Sequence, residues 1–469
     1  MSIRNGQNDL TTGTVWKKLL VFFVPIAAGT IIQQFYNAAD GLIVGRFVGT
    51  NALAAVGGSS AQIINVLVGF FVALTAGASV VIGQIYGAGR KEELNQAIGN
   101  AVAALSAAGA GLMVIGLLAS PALLRLLNTP EETMEGAVLY LRIYFLGVPF
   151  VMILNMESSI LRGLGDSFHP FLYMVIGCVM NIALDALFVI VFGWGIAGVA
   201  VATVMAQVVN TALLSRRLMR GTEEYRLSLR DLKLKKVYLI NMMRLGIPAG
   251  LQASMYSISN MIIQVAVNSL GTVVVASWAM SGKTDGIYWA VSNAMGAAIT
   301  SFIAQNHGAG RMDRVKQCVR QGLIMDFVIT AGISAILMLT AIPLLRILTP
   351  DEAVVQTTYT IMAYIVPFYF TWVLVEVLSA VLRGVGDAFY PVVIIGTGIC
   401  LFRVIWILTV FSHFGTLLSL CLSYTVSWTI TSIALVIYYR KGGWMTRRRI
   451  VDRYVYMVNR RPGGPRSGA

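Results

Sequence analysis

The sequence predicts an all-α polytopic membrane protein, with twelve transmembrane helices in two six-helix lobes related by a parallel internal repeat. Three observations carry that expectation: an extreme apolar composition, a succession of long apolar runs, and a set of motifs that recurs once. Of the 469 residues 57% are hydrophobic and only 12% are charged, and the mean hydropathy is +0.75. A water-soluble fold cannot cover so much apolar surface. A bilayer removes the difficulty. Each crossing takes about 20 apolar residues, so twelve take about 240 and leave short loops.

The runs occupy residues 15–44, 52–82, 95–120, 134–160, 169–192 and 195–217, then 238–268, 273–303, 316–342, 354–381, 390–412 and 416–439. They divide the chain into a polar N-terminal leader (1–14), an N-lobe (15–217), a cytoplasmic basic linker (218–237), a C-lobe (238–441) and a basic cytoplasmic tail (442–469). The leader is expected to be mobile or to lie on the surface. The first run is longer than a signal-peptide core and has no A-x-A cleavage site, so its helix is expected to remain in the mature chain.

The formal net charge is +14. In a soluble protein that would suggest nucleic acid, but here the basic residues avoid the apolar runs, and membrane orientation explains them better. Arg90, Lys91, Arg162, the 216–236 stretch, Arg311, Arg314, Lys316, Arg383, Arg440 and Lys441 follow the even-numbered spans. The alternate loops hold only Arg46, Arg125, Arg142 and Arg346. This bias places both termini in the cytoplasm of a multi-pass plasma (inner) membrane protein.

The four cysteines form no CxxC pair, and the three histidines are far apart. No HExxH, GxSxG or Walker-type loop gives metalloenzyme, hydrolase or ATP-driven chemistry a foothold. The expectation is a protein that is not an enzyme, uses no cofactor and works as a monomer among membrane lipids on a small-molecule substrate.

The repeat is the strongest signal. GQIYGAGR (83–90) matches AQNHGAGR (304–311), LLRLLNTPEE (123–132) matches LLRILTPDE (344–352), and LRGLGDSFHP (161–170) matches LRGVGDAFYP (382–391), all at an offset of 220 to 221. Six spans per copy is an even number, so both copies enter the membrane in the same sense, and substrate paths in such proteins lie between the halves. The GAGR and RGxGD motifs read as topological punctuation. Small residues end a span, the Arg stays at the headgroups, and Pro170 or Pro391 suits the next first turn.

The order of these motifs, the opening PIAAGTIIQQFYNAADGLIVGRFVG and NIALDALFV in the fifth span resemble the MATE (multidrug and toxic compound extrusion) family across nearly the whole chain. The resemblance implies an antiporter with two six-helix lobes around a V-shaped cavity. It would exchange cytoplasmic organic compounds, often cationic or amphipathic, for inward-moving protons or sodium ions. The wider superfamily also contains lipid-linked oligosaccharide flippases, which supplies a rival reading.

Ionised groups inside a bilayer are costly, so acids within spans are functional candidates. Gln33, Asn37 and Asp40 form one stripe on the first helix, expected to face a cavity or partner helices rather than lipid, with Gln33 and Asn37 as candidates for the substrate cavity; Asn181 and Asp185 share a face of the fifth. Thr203 lies on the sixth, one turn before Gln207. Two carboxylates, an amide oxygen and a hydroxyl suit sodium, and two nearby carboxylates would equally hold a proton between them. The resemblance assigns cation coupling to Asp40, Asn181, Asp185 and Thr203, the same residues that would hold sodium, with Asn155 in the same pocket. The second half does not repeat this set, because Asp40 falls on Ile263, Asn181 on Phe402 and Asp185 on Trp406. Tyr256, Asn260, Gln264 and Asn268 instead form a stripe on helix seven, expected to face the central cavity. Lys283, Asp285 and Glu376 are further candidates for substrate contact, with a Glu376–Arg403 ion pair as an alternative use. A gradient-driven exporter is therefore expected. A flippase would need a more cationic cavity for pyrophosphate, and a membrane receptor or scaffold would not need the loop-poor repeat.

Overall fold

A computed structural model describes residues 9–221 and 225–445; the rest of the expected tail, 446–469, lies outside the described residues. Helices α1 to α6 are Val15–Val48, Thr50–Gly87, Lys91–Leu126, Glu131–Gly163, Phe168–Val191 and Gly195–Arg220. Helix α7 is Lys236–Ser269, and α8 comprises Thr272–Thr284 and Gly286–Gly308 on either side of Asp285. Helices α9 to α12 are Met312–Leu348, Glu352–Gly384, Phe389–Phe414 and Leu417–Arg440. No strand occurs among the described residues. Among the described residues eleven helices are long and apolar enough to cross a membrane, counting the second segment of α8 and leaving out α7. The polar stripe along α7 dilutes its apolarity.

The repeated motifs end helices as expected. Gly89 and Gly310 take φ of 73° and 74°, and Gly165 and Gly386 take 88° and 93°, the left-handed conformation that lets the chain turn back on a helix end. Asp166 N and Asp387 N then donate to Leu161 O and Leu382 O, each at 2.8 Å. The two carboxylates brace the following elements: Asp166 contacts His169 Nδ1 at 2.6 Å, and Tyr438 OH donates to Asp387 at 2.6 Å. Pro170 and Pro391 fall in the first turns of α5 and α11, where no intrahelical donor is lost.

The arginines of RGxGD depart from the headgroup expectation. Arg162 lines a cavity in the N-lobe, and Arg383 pairs with Glu376 at 3.2 Å. Each arginine still lies on its helix, one residue before the terminal glycine, so its side chain turns inward along the bundle.

Lobe membership in sequence and in packing differ at two helices. The first half of α1 (Val15, Leu19, Phe22, Phe23 and Ile26) belongs to the core built by α8, α9, α10 and α12. In α7, Tyr238, Met242 and Leu245 join the N-lobe core, while Ile263, Ala266 and Val267 return to the C-lobe. Each repeat thus lends the start of its first helix to the other, and Pro25 and Pro248 mark the exchange.

The lobes meet most closely at the end that carries the GAGR motifs. Gly87 lies against the Gln305 carbonyl and Gly308 against the Gln84 carbonyl, with no room for a Cβ at either. Gln84 Nε2 donates to Gly384 O across the interface, and Gln305 Nε2 donates to Gly163 O, both at 2.9 Å. Both glutamines are fully buried. The two bonds are one contact repeated, since 84 and 305, like 163 and 384, differ by the repeat offset.

In the described part of the leader, residues 9–14, the first three residues are packed inside the protein rather than lying on its surface, while residues 12–14 are exposed. Asp9, Leu10 and Thr11 are buried. Arg314 collects the carbonyls of Leu10, Thr12 and Gly13, Asn306 binds Leu10 O, and Gln305 Oε1 accepts from Leu10 N. A buried guanidinium needs several acceptors, and an extended backbone supplies them.

Candidate cation site and substrate cavities

The N-lobe candidates from α1, α5 and α6 converge. Asp185 is fully buried and Asn181 is 1% exposed. The Asp40 carboxyl lies against that of Asp185 and within reach of the Tyr36 hydroxyl, which also reaches Thr203. Asn181 Nδ2 stands 3.5 Å from Thr203 Oγ1. The amide donor is thereby turned toward the hydroxyl, and its oxygen is left without a donor. Asp40 Oδ1, Asn181 Oδ1 and both Asp185 oxygens are buried and accept no hydrogen bond. Four such acceptors together are costly unless a proton or cation joins them. Local backbone geometry suits the site: wide π-helical turns occupy Val44–Val48, just beyond Asp40, and Ala186–Val191, directly after Asp185.

Beside this cluster is an N-lobe cavity of about 460 Å³, lined by Gln33, Tyr36, Asn155, Asn181, Thr203, Gln207 and Asn210 among others. Asn155 shares the cavity with Asn181 and Thr203, and its Nδ2 donates to Val151 O at 2.9 Å. Asn37 is exposed and does not line the cavity. Tyr36 was not apparent from sequence, although its place one turn before Asp40 was a usable signal. Glu157 was also missed; it is fully buried on α4 and accepts from Ser215 Oγ at 2.5 Å.

A second cavity, of about 520 Å³, lies in the C-lobe and is lined by Tyr256, Asn260, Gln264 and Asp285, with Arg403 and four tryptophans. Gln264 Nε2 also donates to Asn268 Oδ1 at 2.8 Å. Lys283 and Glu376 line neither cavity. Lys283 is exposed on the short first segment of α8. The expected Glu376–Arg403 pair does not form. Glu376 finds Arg383 seven residues along the same helix, where two turns bring the side chains into line.

Twelve helices among the described residues, in two repeated lobes with polar groups gathered inside the bundle and the lobe contacts at one end, have the architecture of a membrane transporter. The MatE family model matches residues 25–187 and again 248–409, and the chain belongs to this family of transporters. The chain is 28% identical over 388 residues to a probable multidrug resistance protein, YoeA, of Bacillus subtilis, covering 81% of this chain and 84% of that protein. It is 33% identical over 317 residues to YpnP of the same organism, also named a probable multidrug resistance protein, covering 66% of this chain and 68% of that one. The fold matches the outward-facing structure of a multidrug resistance MATE transporter with a TM-score of 0.86 at 23% identity, covering 94% of this chain and 98% of that one.

Proposed function

We propose that this chain is a plasma-membrane antiporter that exports small organic compounds in exchange for protons or sodium ions, with coupling at Asp40, Asn181, Asp185 and Thr203. The observation that carries this reading is the set of buried acceptor oxygens without donors on Asp40, Asn181 and Asp185. A proton held between the carboxylates, or a sodium ion among the oxygens, satisfies them. Such a ligand drives transport only by binding one lobe arrangement better than the other. The site lies on α1, α5 and α6, and α1 also packs against the opposite lobe, so an ion there acts on a helix common to both. The names of the Bacillus relatives support export of small molecules. The basic bias of the loops supports an orientation in which the sealed end and both termini are cytoplasmic.

Protons and sodium should compete for these oxygens. Adding sodium to weakly buffered purified protein should release protons, and radioactive sodium should bind more weakly as the pH falls. Asp185→Asn should suppress both signals. The reading fails if wild type neither binds sodium nor changes its proton uptake when Asp40 or Asp185 is replaced by Asn.

A further inference from the structure

The C-lobe cavity has a chemistry of its own. Its volume of about 520 Å³ suits a small molecule. Trp278, Trp289, Trp372 and Trp428 line it with Tyr256 and Tyr424. The rings pack edge to face: the Trp289 and Trp372 centroids are 5.1 Å apart at 79°, and those of Trp372 and Trp428 are 5.9 Å apart at 65°. Such a box holds its shape and presents flat apolar walls.

Two charged side chains, Asp285 and Arg403, reach this cavity, and they are not equally satisfied. Asp285 Oδ2 accepts from Tyr369 OH at 2.8 Å and from Trp289 Nε1 at 3.2 Å. Arg403 is 3% exposed and has no carboxylate at ion-pair distance among the described residues. Its Nε donates to Ser427 Oγ at 3.0 Å, and its buried Nη2 makes no hydrogen bond. The guanidinium lies over the Tyr424 ring at 3.8 Å and 5.6 Å from the Trp428 ring. Wide turns at Gly396–Leu401 and Ile407–Phe411 flank it on α11.

An aromatic box ordinarily suits a cation. This one already contains its cation, and a second would meet like charge at a ring face in use. What the cavity lacks is an acceptor for a buried guanidinium, whose planar fork matches carboxylate, sulfonate or phosphate oxygens. We propose that the C-lobe cavity binds a flat aromatic anion, with its ring among the tryptophans and its anionic group on Arg403. The inference rests on the transporter reading in treating the cavity as a substrate site, but binding there needs no ion gradient.

The test titrates the full chain in nanodiscs by tryptophan fluorescence with four probes: naphthalene-2-sulfonate, uncharged 2-naphthol, 2-naphthylmethylammonium and ringless octyl sulfate. Wild type should bind the sulfonate most tightly. Arg403→Gln should weaken the sulfonate by about tenfold or more and change 2-naphthol by less than about twofold. Arg403→Lys should retain part of the preference, because it keeps the charge and loses the fork. Ammonium binding as tight as sulfonate binding in wild type would overturn the proposal, and that ranking decides the matter even if Arg403→Gln does not fold. Unchanged sulfonate affinity in folded Arg403→Gln would overturn it as well. Equal binding of octyl sulfate would remove the aromatic requirement and show that a lipid-like anion suffices. The proton release that sodium causes at the N-lobe site is read separately on the same wild-type protein, so failure of ion coupling and failure of this site give different results.

Discussion

The paired glutamine bonds offer a direct perturbation of the seal between the lobes. Replacing Gln84 by Met keeps the side-chain length and removes the bond from Nε2 to Gly384 O. In the closed arrangement that carbonyl then loses a buried partner, whereas in an arrangement open at this end water supplies one. The difference is about 1–3 kcal/mol for each site. Gln305→Met removes the matching bond to Gly163 O and also the acceptor for Leu10 N. Together the two changes should cost the closed state about 2–6 kcal/mol, which lowers its weight relative to the open state by about thirtyfold or more. Spin labels at Glu92→Cys and Lys316→Cys, exposed on α3 and α9 just beyond the two GAGR motifs, would report the separation of the lobes by double electron–electron resonance in a background without the native cysteines. Wild type should give a short distance, and the double glutamine variant a second, longer one. An unchanged distribution in the double variant would refute the assignment of these bonds to the seal.

Two further outcomes are expected. Arg226→Cys, on the exposed linker, should react with an impermeant thiol reagent in inverted vesicles and not in intact cells; labelling of intact cells would reverse the orientation. Arg314→Met should release residues 9–13, which hold to Arg314 through three carbonyls, and increase proteolysis and amide exchange there; exchange equal to wild type would show that Asn306 and Gln305 suffice.

Much of the architecture was legible because bilayer apolarity and the repeat offset are properties of sequence alone. The exchange of the first halves of α1 and α7 was not, since a run of apolar residues does not say which lobe it packs against. Asp40, Asn181, Asp185 and Thr203 were legible as polar groups at helical spacing within apolar runs. Tyr36 was harder to find because its ring is at home among apolar residues and only its hydroxyl joins the site. The aromatic box was hidden for another reason: Trp278 and Trp289 stand on α8, Trp372 on α10 and Trp428 on α12, so only tertiary packing assembles it. QxxGAGR and RGxGD were read as helix ends, which they are, but the glutamine and the terminal glycine also join the lobes. Nothing in the local spacing distinguishes that use. Its signal was the recurrence of the glutamine in both copies.

The most direct test of ion coupling at Asp40 and Asp185 is transport by purified protein in liposomes, with proton and sodium gradients imposed separately. Ethidium and naphthalene-2-sulfonate would serve as probes of opposite charge. In wild type at least one of the two gradients should drive probe movement opposite to the ion. Asp40→Asn, which keeps the shape of the side chain and cannot exchange a proton, should respond to neither gradient while still allowing counterflow exchange of the probe. Gradient-driven transport by Asp40→Asn at the wild-type rate would contradict coupling at this site.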